Sequence, residues 1–185
     1  MEVETKDLRE SNLKDIPEFC RGCLYWSFPE EFERTKAERS KYAQELEAKK
    51  RQWILQTLRE FRTCGKILYY SNKPVGYAEY GPSDRFPNIE EYESQPIGRI
   101  EDRVVFLSCL LISDKNLRRR GLGEKLLNAV IDDLKKRRFK AVETYARRGS
   151  ADNPSGPVEF YLKEGFYIKD ETNPSFPIVR RDLST

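Results

Sequence analysis

The residues Leu117-Arg118-Arg119-Arg120-Gly121-Leu122-Gly123-Glu124 have the types and spacing of a turn that grips phosphate. Two glycines one residue apart let the backbone approach a ligand closely and aim several N–H groups at one point. The amphipathic stretch that follows predicts a helix. Its N-terminus adds partial positive charge at the turn, and the three arginines add full charges. Chemically this is a pyrophosphate cradle. No Gly-Lys-Ser/Thr follows, which argues against a P-loop. The partner glycine of a dinucleotide-binding fingerprint is also missing at Lys125-Leu126.

The chain contains no histidine. Ser-His-Asp and Cys-His catalysis, HExxH zinc sites and Cys2His2 fingers are thereby excluded, because each needs an imidazole as base or ligand. Acid–base work must fall to carboxylates, tyrosines, lysines, cysteines or water. Glu79 and Glu143, both on expected strands, are candidate bases; the competing reading is two glutamates solvated on an exposed sheet face. Cys20-x-x-Cys23 has the spacing of a redox pair or half a zinc site. Zinc needs four ligands, and only Cys64 and Cys109 remain, in different elements. Packing in a core or cleft is the simpler reading, with Cys109 a small hydrophobe on a buried strand. Tyr25, Trp26, Phe28 and Tyr92 either line an acceptor site or cap the core.

The elements that must position these groups follow from periodicity. Residues 3–8 read as a first strand. Asp15-Ile16-Pro17-Glu18 reads as a helix start with Asp15 as N-cap. Ser27-Phe28-Pro29-Glu30 repeats that signature and opens a stretch free of Gly and Pro until Gly65. It predicts one long helix or two consecutive ones, buried mainly toward the C-terminal end. Residues 66–71 and 74–80 predict a hairpin turning at Asn72-Lys73. Residues 83–102 are irregular and acidic, interrupted at Pro87, Pro96 and Gly98, and a loop of this length is usually functional or disordered. Residues 104–112 predict a strand covered on both faces. Leu122, Leu126, Leu127, Val130, Ile131 and Leu134 keep one apolar helical face. A strand over 141–146, a short helix over 158–164 ending at Gly165, and strands over 166–169 and 178–183 complete an α/β pattern.

The cradle and a second segment, Phe160-Tyr161-Leu162-Lys163-Glu164-Gly165-Phe166, together resemble the GCN5-related N-acetyltransferase (GNAT) superfamily. Arg118, Gly121 and Gly123 match its R/Q-x-x-G-x-G/A acetyl-CoA motif, and Tyr161 to Phe166 is similar to its Y-x-k-x-G-F segment. The resemblance spans about residues 66–170 and implies a single domain over 1–185. That domain would be a mixed, twisted sheet flanked by helices, with a long helical N-terminal segment. It implies acetyl-CoA as co-substrate and direct transfer of the acetyl group to an amine. Arg118, Arg119, Arg120, Gly121, Leu122, Gly123 and Glu124 would hold the pyrophosphate. The backbone at Leu111 and Ile112 would pair with the pantetheine arm, and a backbone N–H there would polarise the thioester carbonyl. Tyr161 would donate to the departing thiolate. The family often places an asparagine seven residues before that tyrosine. Here Asn153 is eight before it, followed by Pro154-Ser155-Gly156-Pro157, so Asn153 and Ser155 are both candidate cofactor contacts.

Composition bounds these readings. The chain has 185 residues, 35% charged and 38% hydrophobic, enough for one domain with a real core and a highly charged surface. A net charge of +3 is too small to imply nucleic acid by itself, although Arg118–Arg120 and neighbouring basic clusters keep a nucleic-acid-binding protein open as a third reading. The longest apolar run, over 104–112, is far short of the roughly 20 residues that cross a bilayer. The charged N-terminus lacks a signal-peptide core, so a cytoplasmic protein with reduced thiols is expected. The acceptor would be a small-molecule or peptide amine. Glu90, Glu91, Glu93, Glu101 and Asp102 favour a cationic one, against a solvated acidic loop with no role. A non-catalytic CoA-binding or sensing module is the main alternative, and a homodimer stays open.

Overall fold

The computed structural model describes residues 2–92, 97–98, 103–149 and 155–183. Seven strands form one mixed sheet in the order β1-β2-β3-β4-β5-β7-β6. They are β1 (Val3–Asp7), β2 (Gly65–Tyr70), β3 (Lys73–Pro82), β4 (Val104–Ile112), β5 (Ala141–Tyr145), β6 (Tyr167–Asp170) and β7 (Ile178–Asp182). The α-helices are α1 (Glu18–Arg21), α2 (Pro29–Thr35), α3 (Ala43–Phe61), α4 (Leu122–Lys136) and α5 (Val158–Lys163). All pairings are antiparallel except β4–β5, which is parallel and is spanned by the α4 crossover.

The sheet is covered on both faces, which is why β4 is apolar at every position but Ser108 and buried or half-buried throughout. Successive residues of β3 show the two sides. Glu79 meets Lys50 of α3, while the hydroxyl of Tyr80 donates to Asp133 of α4 at 2.9 Å. The six apolar residues of α4 expected to form its buried face are all buried. The 29–61 stretch is helical in two pieces. α2 and α3 are separated by a 3-10 segment, Lys36–Tyr42, with a kink at Glu38. Leu46, Lys50, Trp53, Ile54, Thr57 and Phe61 make up the buried side of α3.

Three details differ from expectation. The hairpin turns at Ser71-Asn72, one residue earlier, with φ of 49° and 63°. Two positive φ values suit the right-handed strand twist, and asparagine tolerates them well. Asp15 does not cap a helix: α1 begins at Glu18 after Pro17, and the Asp15 carboxylate instead accepts from the Tyr69 hydroxyl at 2.7 Å. The acidic segment after β3 is partly core, because Ser83–Arg85 and Pro87–Glu91 form 3-10 turns that bury Phe86 and Ile89. Glu90 and Glu91 are exposed there, and Glu93, Glu101 and Asp102 lie outside the described residues.

Candidate active site

The parallel seam between β4 and β5 covers only Val104–Phe106 against Ala141–Glu143. Beyond it the strands part. Among the described residues, no strand pairs with the β5-facing edge of β4 from Leu107 to Ile112. A cleft of about 590 Å3 opens along the end of this edge, walled by Leu110 to Ser113, the start of α4 and Phe160 of α5.

The Arg118–Glu124 turn sits at this cleft. Gly121 takes φ 75° as the residue before α4, a left-handed conformation that favours glycine, and no side chain caps the helix. Among the described residues the first-turn N–H groups therefore have no intrahelical or capping partner. A Cβ built on Gly123 would meet only the Phe160 ring, at 3.8 Å, so the glycine leaves open space where a side chain would stand. Arg118 Nε donates to the Ile112 carbonyl at 3.1 Å, which ties the turn to the end of β4. Arg118, Arg119 and Glu124 line the cleft, as do Leu111 and Ile112. Open backbone, free donors and guanidinium groups together fit a pyrophosphate. Leu122 turns its side chain into the core, and Arg120 is exposed and does not line the cleft. Lys163, not singled out in the sequence, does.

Tyr161 stands behind this wall. It is fully buried, and Phe160, not Tyr161, faces the cleft. A Cβ on Gly156 would come within 3.1 Å of the Tyr161 ring, and Gly156 itself has φ 75°, so the glycine is required twice over. Among the described residues the Tyr161 hydroxyl has no partner in hydrogen-bond geometry. Burial pushes its phenol up, the Cys109 thiol adds to this, and the nearby Thr144 side chain opposes it. Ser155 lines a second cavity, described next, while Asn153 lies outside the described residues.

That second cavity, about 330 Å3, lies next to the cleft and shares Phe19 and Cys20 with it as lining residues. Glu79 is one of its walls and is almost fully buried. Lys50 Nζ donates to its Oε1 at 2.9 Å, the Tyr77 hydroxyl to its Oε2 at 3.0 Å and the Ser108 hydroxyl to its Oε1 at 3.1 Å. A β-bulge between Glu79 and Tyr80 adjusts the β3–β4 register beside Ser108. Burial opposes the charge on Lys50, but Glu79 outweighs it and holds the ammonium above its ordinary value. Glu143 is placed elsewhere. It lines neither cavity and is bound by Lys169 at 2.7 Å and Arg180 at 2.9 Å.

Tyr25, Trp26 and Tyr92 line the second cavity; Phe28 does not, and packs its ring under Lys49. Cys20, Cys23 and Cys109 line it too. Contact with Cys20 and then burial raise the Cys109 thiol, while burial raises Cys23 against the pull of Lys50. No group of three or more potential metal ligands occurs among the described residues. Lys50, Tyr77 and Ser108 escaped the sequence reading. For Lys50 a signal existed: a lysine four residues after Leu46 and three before Trp53 lies on the apolar stripe of α3.

A family model described as the acetyltransferase (GNAT) family matches residues 23–166. The chain belongs to this acetyltransferase family. The match begins well before residue 66 and so includes the helical segment that carries Lys50. An N-acetyltransferase from Staphylococcus aureus Mu50 superposes with a TM-score of 0.63 at 12% identity, with 100% of each chain covered. The PaiA N-acetyltransferase of Thermoplasma acidophilum, solved in complex with coenzyme A, gives 0.59 at 17% identity, covering 98% of this chain and 99% of that one. The ribosomal-protein-S18-alanine N-acetyltransferase of Escherichia coli gives 0.56 at 15%, covering 100% and 96%. At these identities the likeness is one of fold. No curated protein matches the chain. Among the described residues no helix is long and apolar enough to cross a membrane.

Proposed function

We propose that the protein is an N-acetyltransferase that moves the acetyl group of acetyl-CoA to an amine by direct attack. The observation that carries this reading is the adjacency of the two cavities, which share Phe19 and Cys20. A thioester at the inner end of the cleft would face an amine held in the second cavity.

Bound acetyl-CoA supplies the activated acyl group; the chain supplies position and proton handling. Arg118, Arg119 and the N–H groups around Gly121 and Gly123 hold the pyrophosphate, and the open edge of β4 orients the amide-bearing arm at Leu111 and Ile112. Glu79 is the carboxylate that faces the acceptor and takes up its proton. Glu143, paired with Lys169 and Arg180, acts in structure. Tyr161 keeps its proton at neutral pH and packs against Gly156, which lines the cleft; its hydroxyl is the donor we assign to the leaving sulfur.

A second reading, a CoA-binding module without chemistry, has one observation in its favour. Lys50, Tyr77 and Ser108 make three hydrogen bonds to the Glu79 carboxylate, and the paired ammonium stabilises its charged form, which weakens it as a base. One assay separates the two readings. Acetyl-CoA incubated with a panel of amines should release free thiol in an amine-dependent way. Saturable CoA binding with no thiol release would establish the module instead.

A further inference from the structure

We infer that the acceptor is a primary amine carried on a flat apolar body, an arylalkylamine in chemical class; this rests on the acetyltransferase reading. Aromatic side chains make up half of the described lining residues of the second cavity. Two of them, Trp26 and Tyr92, are held in place by stacking on each other, with centroids 5.2 Å apart at 24°, and on the buried Tyr145, which does not line the cavity. Tyr25 stands edge-on to both Trp26 and Phe32, and Phe176 closes the side edge-on to Tyr92.

Six polar lining residues are already engaged with one another. The hydroxyls of Tyr25 and Tyr92 bond at 2.7 Å, and Glu79 is bound by Lys50, Tyr77 and Ser108. Among the described lining residues the formal charges are one lysine and one glutamate, which cancel. Such a wall has little to give a carboxylate, a phosphate or a second ammonium, and each of those would lose its hydration without a new partner. It has much to give a planar ring, through area burial and edge-to-face contact. The aromatic faces also attract a single ammonium before its proton is lost. The cavity volume suits one ring and a short chain and leaves little room for a folded peptide end.

In the reaction the amine nitrogen bonds to the thioester carbonyl carbon, the C–S bond breaks, and its electron pair leaves on sulfur. The amine proton is taken by the protein, and the thiolate gains one to give CoA thiol and an N-acetyl amine.

The test measures thiol release from acetyl-CoA with phenethylamine, tryptamine, 1,5-diaminopentane and an unblocked tetrapeptide, together with calorimetric binding of CoA. The aryl amines should exceed the diamine in kcat/KM by about tenfold or more, the worth of one buried ring. Trp26→Ala and Phe32→Ala should each raise KM for phenethylamine while leaving CoA affinity unchanged. A diamine or peptide that outperforms both aryl amines would overturn the acceptor class and leave the acetyltransferase standing. CoA binding with no turnover of any amine would overturn both.

Discussion

Lys50 Nζ lies 2.9 Å from one carboxylate oxygen of Glu79 and 2.8 Å from the other, and both side chains are shut away from solvent. An ion pair this deep adds little net stability over an apolar pair of equal size, yet removing one member strands the other. Lys50→Met should therefore cost about 3–5 kcal/mol. Lys50→Met with Glu79→Leu should recover most of that loss. Urea denaturation of the three proteins decides it, and equal stability of the single and double variants would show the pair to be uncoupled.

The same pair makes alkaline stability asymmetric. The folded-state value of Lys50 is raised, so its contribution is complete below the unfolded value of about 10.4 and is lost as pH rises through the folded one. Burial also raises Tyr77 and Tyr80, which act in the same direction. Burial raises the thiols of Cys23 and Cys64 as well, and contact with Cys20 and then burial raise that of Cys109, so wild type should hold its stability to about pH 8.5 and lose it progressively above. The difference between wild type and Lys50→Met should shrink over that upper range. A difference that stays constant from pH 8 to 11.5 would contradict the charge argument.

Gly123→Val should weaken CoA binding by more than about tenfold with little change in melting temperature, because the added side chain meets only the Phe160 ring before entering the cleft. Gly121→Ala isolates the other demand. Its Cβ meets nothing, but φ is 75°, so it should cost about 1 kcal/mol of stability. Calorimetry and thermal melts on the two variants separate space from backbone conformation.

Tyr161→Phe removes a hydroxyl that is buried and unpartnered among the described residues. Stability should hold or rise by about 1 kcal/mol, since an unsatisfied buried group is lost. If the hydroxyl serves the leaving sulfur, kcat should nevertheless fall roughly 10- to 1,000-fold with CoA affinity unchanged. Wild-type kcat, under conditions where chemistry limits turnover, would assign Tyr161 to packing beneath Gly156.

Arg62 sits at φ 75° and ψ −69° between Phe61 and Thr63, whose N–H and C=O close a tight turn at 3.1 Å. Arg137 of the α4 C-terminus donates to the carbonyls of both Phe61 and Thr63 and pairs with Asp133 at 3.0 Å. Arg137→Ala should destabilise by about 2–3 kcal/mol, because it frees two buried carbonyls, and Arg62→Gly should be neutral or stabilising. Chemical denaturation of both variants checks the pair of signs.

The sheet and α4 were legible because their periods are strong and their punctuation is clear: β4 has the expected bounds, and α4 buries the six residues its spacing selects. The phosphate turn was legible because its glycines and arginines act through backbone and charge, which spacing shows directly. Glu79 and Glu143 could not be told apart. Both are strand glutamates, and only the packing of α3 on one side, and Lys169 with Arg180 on the other, decides what each meets. Asp15 misled for a similar reason, since Tyr69, 54 residues away, claims its carboxylate. The segment after β3 looked like a loop by composition, but Phe86 and Ile89 anchor it in the core.

The short parallel seam of three residue pairs makes β4 an edge strand in the interior of a sheet. Among the described residues its amides from Leu107 to Ile112 have β3 on one side only, so their protection against hydrogen exchange should alternate along the strand. A bound chain of amides would silence that alternation, residue by residue. The exchange pattern of β4 is thus a direct gauge of how far along the strand a ligand extends, independent of any turnover.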